Sequence, residues 1–121
     1  MSPTLSEPLF EQIAERTLRA LASTLDTLEG LEADLESGIL TLEFEDGAKY
    51  VLNSHRAARQ IWMAAESRAW HFDATGDLGA SSEPRTSAPL WTSTKGGEEL
   101  WDTLEAVLAR KLARPIRLAR S

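Results

Sequence analysis

The chain has 121 residues, 42% of them hydrophobic, which is one domain's length and enough to bury roughly two-thirds of its unfolded surface without a metal or disulfide staple. It contains no cysteine, so disulfides, zinc–thiolate sites and thiol chemistry are excluded. Its net charge of −6 is unevenly spread: residues 1–46 hold eleven Asp/Glu against two Arg, a balance that repels nucleic-acid phosphates and attracts cations or basic protein surfaces.

Residues 7–29 are predicted as a helix, because Phe10, Ile13, Ala14, Leu18, Leu21, Leu25 and Leu28 recur at three- and four-residue steps. Ser6 suits the N-cap, Glu7 and Pro8 suit the first turn, and Gly30 suits the stop. A short acidic link follows. In ILTLEFE (39–45), Leu40, Leu42 and Phe44 share one face, and Asp46-Gly47 offers a two-residue hairpin turn. KYVLN (49–53) turns Tyr50 and Leu52 inward; RQIWMAA (59–65) does the same with Ile61 and Met63, and RAWHFD (68–73) with Trp70 and Phe72. Residues 74–90 are rich in Gly, Ser, Pro and Ala and read as a mobile loop. A short strand at 90–93 leads to a second helix over 98–112, with Leu100, Trp101, Leu104, Val107, Leu108 and Leu112 as its stripe. Pro115 prevents its continuation, and the last twelve residues hold five basic residues and no acid, which suits a solvated flank. No stretch approaches the roughly 20 apolar residues of a membrane span. The apolar run at 17–22 is broken by Arg19 and lacks a cleavage pattern, so a soluble, cytoplasmic protein is expected.

Strands sharing one apolar face, flanked by two amphipathic helices, predict a single α+β domain. It is a two-layer sandwich of an antiparallel sheet with both helices packed on one face. The other face of the sheet is then left to solvent. Parity puts Trp62 on that face with Gln60 and Asn53, where the indole would be an anchor for a partner unless Val51 covers it across the strands. On this reading Trp62→Ala costs binding and leaves stability nearly unchanged.

The candidate cation ligands are carboxylates. Glu7, Glu11 and Glu15 share one helical face, Asp26 and Glu29 are neighbours, and Glu32, Asp34 and Glu36 point to one side if residues 32–36 are extended. Such hard oxygen donors suit Fe²⁺, Fe³⁺, Mn²⁺ or Ca²⁺. No Glu-x-x-His pair of the di-iron type occurs, so the residues alone support weak, exposed cation binding or a merely solvated acidic face. His71 and His55 are lone strand-region histidines, open to either a ligand or a plain surface role. No catalytic triad or phosphate loop can be assigned, and Glu98 and Glu99 oppose an anion at Gly96-Gly97.

The succession GILTLEFEDG (38–47), YVLN (50–53), QIWMA (60–64), WHFD (70–73) and WTSTKGGEELWDTL (91–104) resembles the frataxin family, in particular its bacterial CyaY type. The resemblance covers most of the chain. It implies an accessory or regulatory protein of iron–sulfur cluster assembly that binds Fe²⁺/Fe³⁺ weakly and has no organic cofactor. It implies an acidic ridge for iron and a basic partner, to which Glu11, Glu15, Asp26, Glu29, Glu32 and Asp34 correspond. It also implies a sheet surface at Asn53, Gln60 and Trp62 for contact with the cysteine desulfurase and scaffold. No nucleic acid or membrane partner is expected, and the iron-free protein is expected to be monomeric. Two alternatives stand beside this: a protein-binding regulator with incidental iron binding, and a ferroxidase. Ala22, Ser23 and Thr27 stand where bacterial relatives are acidic, and Ala57 where proline is usual.

Overall fold

The computed structural model describes residues 6–75 and 90–118; most of the segment read as a mobile loop, 76–89, lies outside the described residues. The elements run α1 (Glu7–Leu25), β1 (Leu31–Glu36), β2 (Ile39–Phe44), β3 (Lys49–His55), β4 (Gln60–Ala65), β5 (Arg68–Thr75), β6 (Leu90–Ser93) and α2 (Leu100–Leu112). The six strands form one sheet in sequence order, every neighbour antiparallel. Leu40, Leu42, Leu52, Ile61, Met63, Phe72 and Trp91 from the sheet are buried in one cluster with Phe10, Leu18 and Leu21 of α1 and Leu100, Leu104 and Val107 of α2. Both helices therefore pack on the same sheet face, and the α+β sandwich expected from the sequence is the observed fold.

Helix α1 begins as its sequence requires: the Ser6 hydroxyl accepts from the Leu9 amide at 3.2 Å, with Pro8 in the first turn. It ends at Leu25 rather than continuing to residue 29. Thr24, Asp26 and Thr27 are weak helix formers whose side chains compete for backbone groups, and the Thr27 hydroxyl donates to the Thr24 carbonyl at 2.6 Å. Thr27 and Leu28 amides then bond three residues back, to Thr24 and Leu25 carbonyls, which tightens the chain into a turn. Leu28 stays half-buried against the core without being helical.

Residues 31–36, read as a link, are a sixth strand. Leu31, Ala33 and Leu35 are half-buried under α1 and Glu32, Asp34 and Glu36 are exposed. Two hairpins are of the two-residue kind, with positive φ at both loop positions: Ser37 and Gly38 (53° and 80°), and Glu66 and Ser67 (56° and 62°). At Gly38, with φ 80°, a side chain would be strained and would meet Ser54 Oγ at 2.7 Å, so it could enter only by displacing that hydroxyl. The Asp46-Gly47 connection is longer than expected. Glu45–Ala48 bridge the strands, the Gly47 amide donates to Phe44 O at 2.9 Å, and Asp46 Oδ1 accepts from the Ala48 amide.

Helix α2 starts at Leu100, two residues later than expected, because Glu99 is its N-cap and accepts from the Asp102 amide at 3.1 Å. After Ala113, in the left-handed region at φ 57°, the chain doubles back. Ile116 and Leu118 are buried, and the Leu118 amide donates to Glu105 Oε2 at 2.9 Å. This stretch is part of the core rather than a solvated flank. Arg110 grips Glu66 with two bonds of 2.8 Å, and Lys111 reaches Asp46 at 2.6 Å, which ties the end of α2 to two hairpins. Among the described residues, no helix is long and apolar enough to cross a membrane.

Candidate functional site

The helix-free face of the sheet carries a row of residues set by strand register. Glu36, Ile39, Asn53, Trp62 and His71 stand opposite one another across β1 to β5. Beside it runs a second row of His55, Gln60, Asp73 and Thr92. Asn53, Gln60 and Trp62, far enough apart in sequence to sit on two strands, are thus brought together on one surface. Ile39 extends the same row and is the one large hydrophobic residue among those described that is exposed, at 43%.

Trp62 is held more firmly than its parity suggests. Its indole lies between two imidazoles, His55 at 3.9 Å and 13° and His71 at 4.3 Å and 16°. These rings, and not Val51, cover its faces; Val51 stands opposite Ala64. Trp62 Nε1 donates to Gln60 Oε1 at 2.7 Å, and Gln60 Nε2 donates to Asp73 Oδ1 at 3.0 Å. The Gln60 amide is oriented at both ends by these bonds. His55 Nδ1 accepts from the Ala58 amide at 3.2 Å, which leaves Nε2 to carry the proton of the neutral ring. The surface therefore presents the edges of three stacked rings and an oriented amide network, rather than the open face of a free indole. Strand parity singles out Trp62 but not the two rings that bracket it. Outward parity marked His71, yet only the pairing register shows that it lies against Trp62.

The six carboxylates read as cation ligands fall into separate groups. Glu11 pairs with Arg56 at 2.8 Å and Glu15 with Arg19 at 2.8 Å, both on the surface, while Glu7 stands 3.7 Å from Arg59. Asp26 caps the end of α1, and the Glu29 carbonyl accepts from Arg114 at 2.7 Å. Glu32 and Asp34 are exposed on β1. A cleft of about 330 Å³ separates Glu11 and Glu15 from the Ser37–Gly38 turn. Among the described residues no three His, Asp or Glu side chains converge on a point that could hold a metal ion. The arrangement is a dispersed rim of oxygen donors, with the helical ones already facing arginines.

Titration is perturbed away from this face. The Lys111 ammonium donates to the Asp46 carboxylate and holds it below its usual range, and Arg110 does the same to Glu66. Their cationic partners are raised in turn by the same bonds, and burial pushes the Tyr50 phenol up.

Residues 3–114 match the family model described as the frataxin-like domain. The iron-sulfur cluster assembly protein CyaY of Thioalkalivibrio sulfidiphilus (strain HL-EbGR7) is 39% identical over 112 residues, which span 90% of this chain and 95% of that protein. Among solved structures, a frataxin from Psychromonas ingrahamii, described as a model for stability modulation within the CyaY protein family, superposes with a TM-score of 0.79. It covers 96% of this chain and 100% of its own at 19% identity, and so speaks to the fold alone.

Proposed function

The chain belongs to the frataxin-like family, and on that premise we propose that it is an iron-binding accessory protein of iron–sulfur cluster assembly in the cytoplasm. It docks to the cysteine desulfurase and scaffold through the Asn53–Gln60–Trp62 surface and binds Fe²⁺ or Fe³⁺ weakly along its acidic rim. The observation that carries this reading is the oriented platform on the sheet face opposite the helices, where Trp62, stacked between His55 and His71, is hydrogen-bonded to Gln60. A pre-ordered aromatic anchor loses little conformational entropy on docking, which suits a binding surface better than a reaction centre.

Iron is cargo in this reading. Carboxylates exposed to water and spread over α1 and β1 favour hard cations without selecting among them, so Mn²⁺ and Co²⁺ should compete with Fe²⁺. The pairing of Glu11 with Arg56 and of Glu15 with Arg19 favours a second reading, a protein-binding regulator for which iron is incidental. A ferroxidase would need saturable, catalytic O₂ consumption with excess Fe²⁺.

The deciding experiment is a pulldown with desulfurase and scaffold, with and without Fe²⁺, comparing the parent with Trp62→Ala. Capture that is stronger with Fe²⁺ and lost in Trp62→Ala supports the proposal. Capture indifferent to iron supports the second reading, and capture unaffected by Trp62→Ala overturns the sheet-face assignment. A Co²⁺ titration followed by NMR tests the rim: amides around Glu11, Glu15, Asp26, Glu29, Glu32 and Asp34 should shift, and shifts confined to the C-terminal stretch would refute it.

A further inference from the structure

Among the described residues the sheet is open at β1. Within an antiparallel ladder alternate residues turn N–H and C=O to each side, so an edge strand directs half of its backbone groups outward. Among the described residues, no backbone hydrogen bond reaches residues 31–36 from outside the β1–β2 ladder. The opposite edge differs: Thr92 bridges to Glu99, and the Ser93 amide donates to Glu98 O at 2.7 Å.

The side chains along this edge are also incomplete. On the helix side, Leu31, Ala33 and Leu35 are only half-buried, because α1 covers them from above and nothing described covers them laterally. On the other side Glu32, Asp34 and Glu36 are exposed and form no ion pair among the described residues, whereas Glu7, Glu11 and Glu15 of α1 each face an arginine. Register worsens their position. Glu32 stands directly opposite Glu43, an unfavourable like-charge pair, and Glu43 has Lys49 on its far side while Glu32 has no strand on its own. Three exposed carboxylates without an ion pair among the described residues therefore line one face of an edge strand whose outward backbone groups no described segment meets.

We infer that β1 is a recruiting edge: an extended partner segment that alternates apolar residues with Lys or Arg adds to the sheet as a seventh strand. Its apolar residues extend the half-covered row of Leu31, Ala33 and Leu35. Its cations stand beside Glu32, Asp34 and Glu36, and its backbone supplies the missing ladder bonds, the arrangement of strand-addition recognition. A second copy of this chain is the wrong occupant, since pairing β1 with β1 would bring six carboxylates together. The single sign of the charge thus discourages self-pairing while admitting a basic strand. This edge shares Glu32 and Asp34 with the proposed cation rim but rests on the backbone, so a failure of iron binding would leave it standing.

The probe is a synthetic peptide, acetyl-KVRVKV-amide, with two isomers N-methylated on either its odd or its even residues. The isomers have the same charge and differ only in which backbone edge can pair. At low salt the parent peptide should bind, and the outward amides of residues 31–36 should exchange more slowly in its complex. One isomer should bind like the parent, and the other should be weaker by about tenfold or more, since it loses several backbone bonds. Combining Glu32→Gln, Asp34→Asn and Glu36→Gln should weaken the parent peptide as well. Equal behaviour of the two isomers, whether both bind or neither does, overturns the inference in favour of unspecific charge attraction. A dimer of the free chain protected at β1 would overturn it in favour of a second copy.

Discussion

The indole of Trp62 lies against the imidazole of His71 with ring centroids 4.3 Å apart and planes 16° from parallel. With His55 on the other side, the indole that strand parity turns outward is braced by two neighbours and a hydrogen bond to Gln60. Removal of the ring therefore costs stability as well as binding. Trp62→Ala should lower unfolding stability by about 1.5–4.5 kcal/mol, from two stacked pairs and one hydrogen bond. His71→Ala should cost about 0.5–1.5 kcal/mol, one stacked pair. Urea denaturation of both variants checks this. An unchanged midpoint for Trp62→Ala would restore the simpler expectation of a purely docking residue.

Trp91 is fully buried, packs edge-on to Phe10 at 6.0 Å, and donates its Nε1–H to the Thr17 hydroxyl at 2.9 Å. Thr17→Val keeps the shape but deletes the acceptor and leaves an unsatisfied buried donor. The expected loss is about 1–3 kcal/mol. Thr17→Ser, which keeps the hydroxyl, should lose less, and equal losses would assign the effect to packing alone.

The Glu66–Ser67 hairpin holds two non-glycine residues at positive φ. Glu66 is needed, since Arg110 grips its carboxylate, but Ser67 makes no such contact. Ser67→Gly should therefore stabilise the protein, by about 1 kcal/mol after the greater flexibility of the unfolded glycine is allowed for. A raised thermal midpoint supports this. A lowered one would show that the entropic cost of glycine dominates.

The Asp46–Lys111 contact predicts a pH window. Asp46 is held below its ordinary value of 3.8, chiefly by the Lys111 hydrogen bond, so its stabilisation is present above that value and is lost as pH falls through the folded-state pKa. Lys111 is raised above its ordinary 10.5, so its stabilisation is present below that value and is lost as pH climbs through the raised pKa. Asp46→Asn should then be less stable than the parent near neutral pH, with the difference shrinking toward both extremes. Thermal melts of the two proteins across pH test this, and a difference independent of pH would detach it from the ion pair.

Periodicity determined most of the residues of this protein that face the core. Leu40, Leu42 and Phe44 against Thr41 and Glu43, repeated in kind through Tyr50, Ile61 and Trp70, fix a one-sided sheet, and the three- and four-residue steps of Phe10 to Leu25 fix a helix to cover it. These are local properties, legible wherever a solvated face and a buried face alternate along the chain. Residues 31–36 escaped because LEADLE joins a weak apolar pattern to poor strand formers, and only pairing with β2 makes it a strand. The grouping of Asn53, Gln60 and Trp62 followed from parity, but the imidazoles around Trp62 did not, because which residues oppose each other depends on register between strands. The same holds for Arg56 against Glu11, 45 positions apart, for Thr17 against Trp91, 74 apart, and for the return of Ile116 and Leu118 to the core. Sequence sets the side on which each residue stands; tertiary packing selects its neighbours, since contacts between distant segments exist only after the sheet and helices have closed on each other.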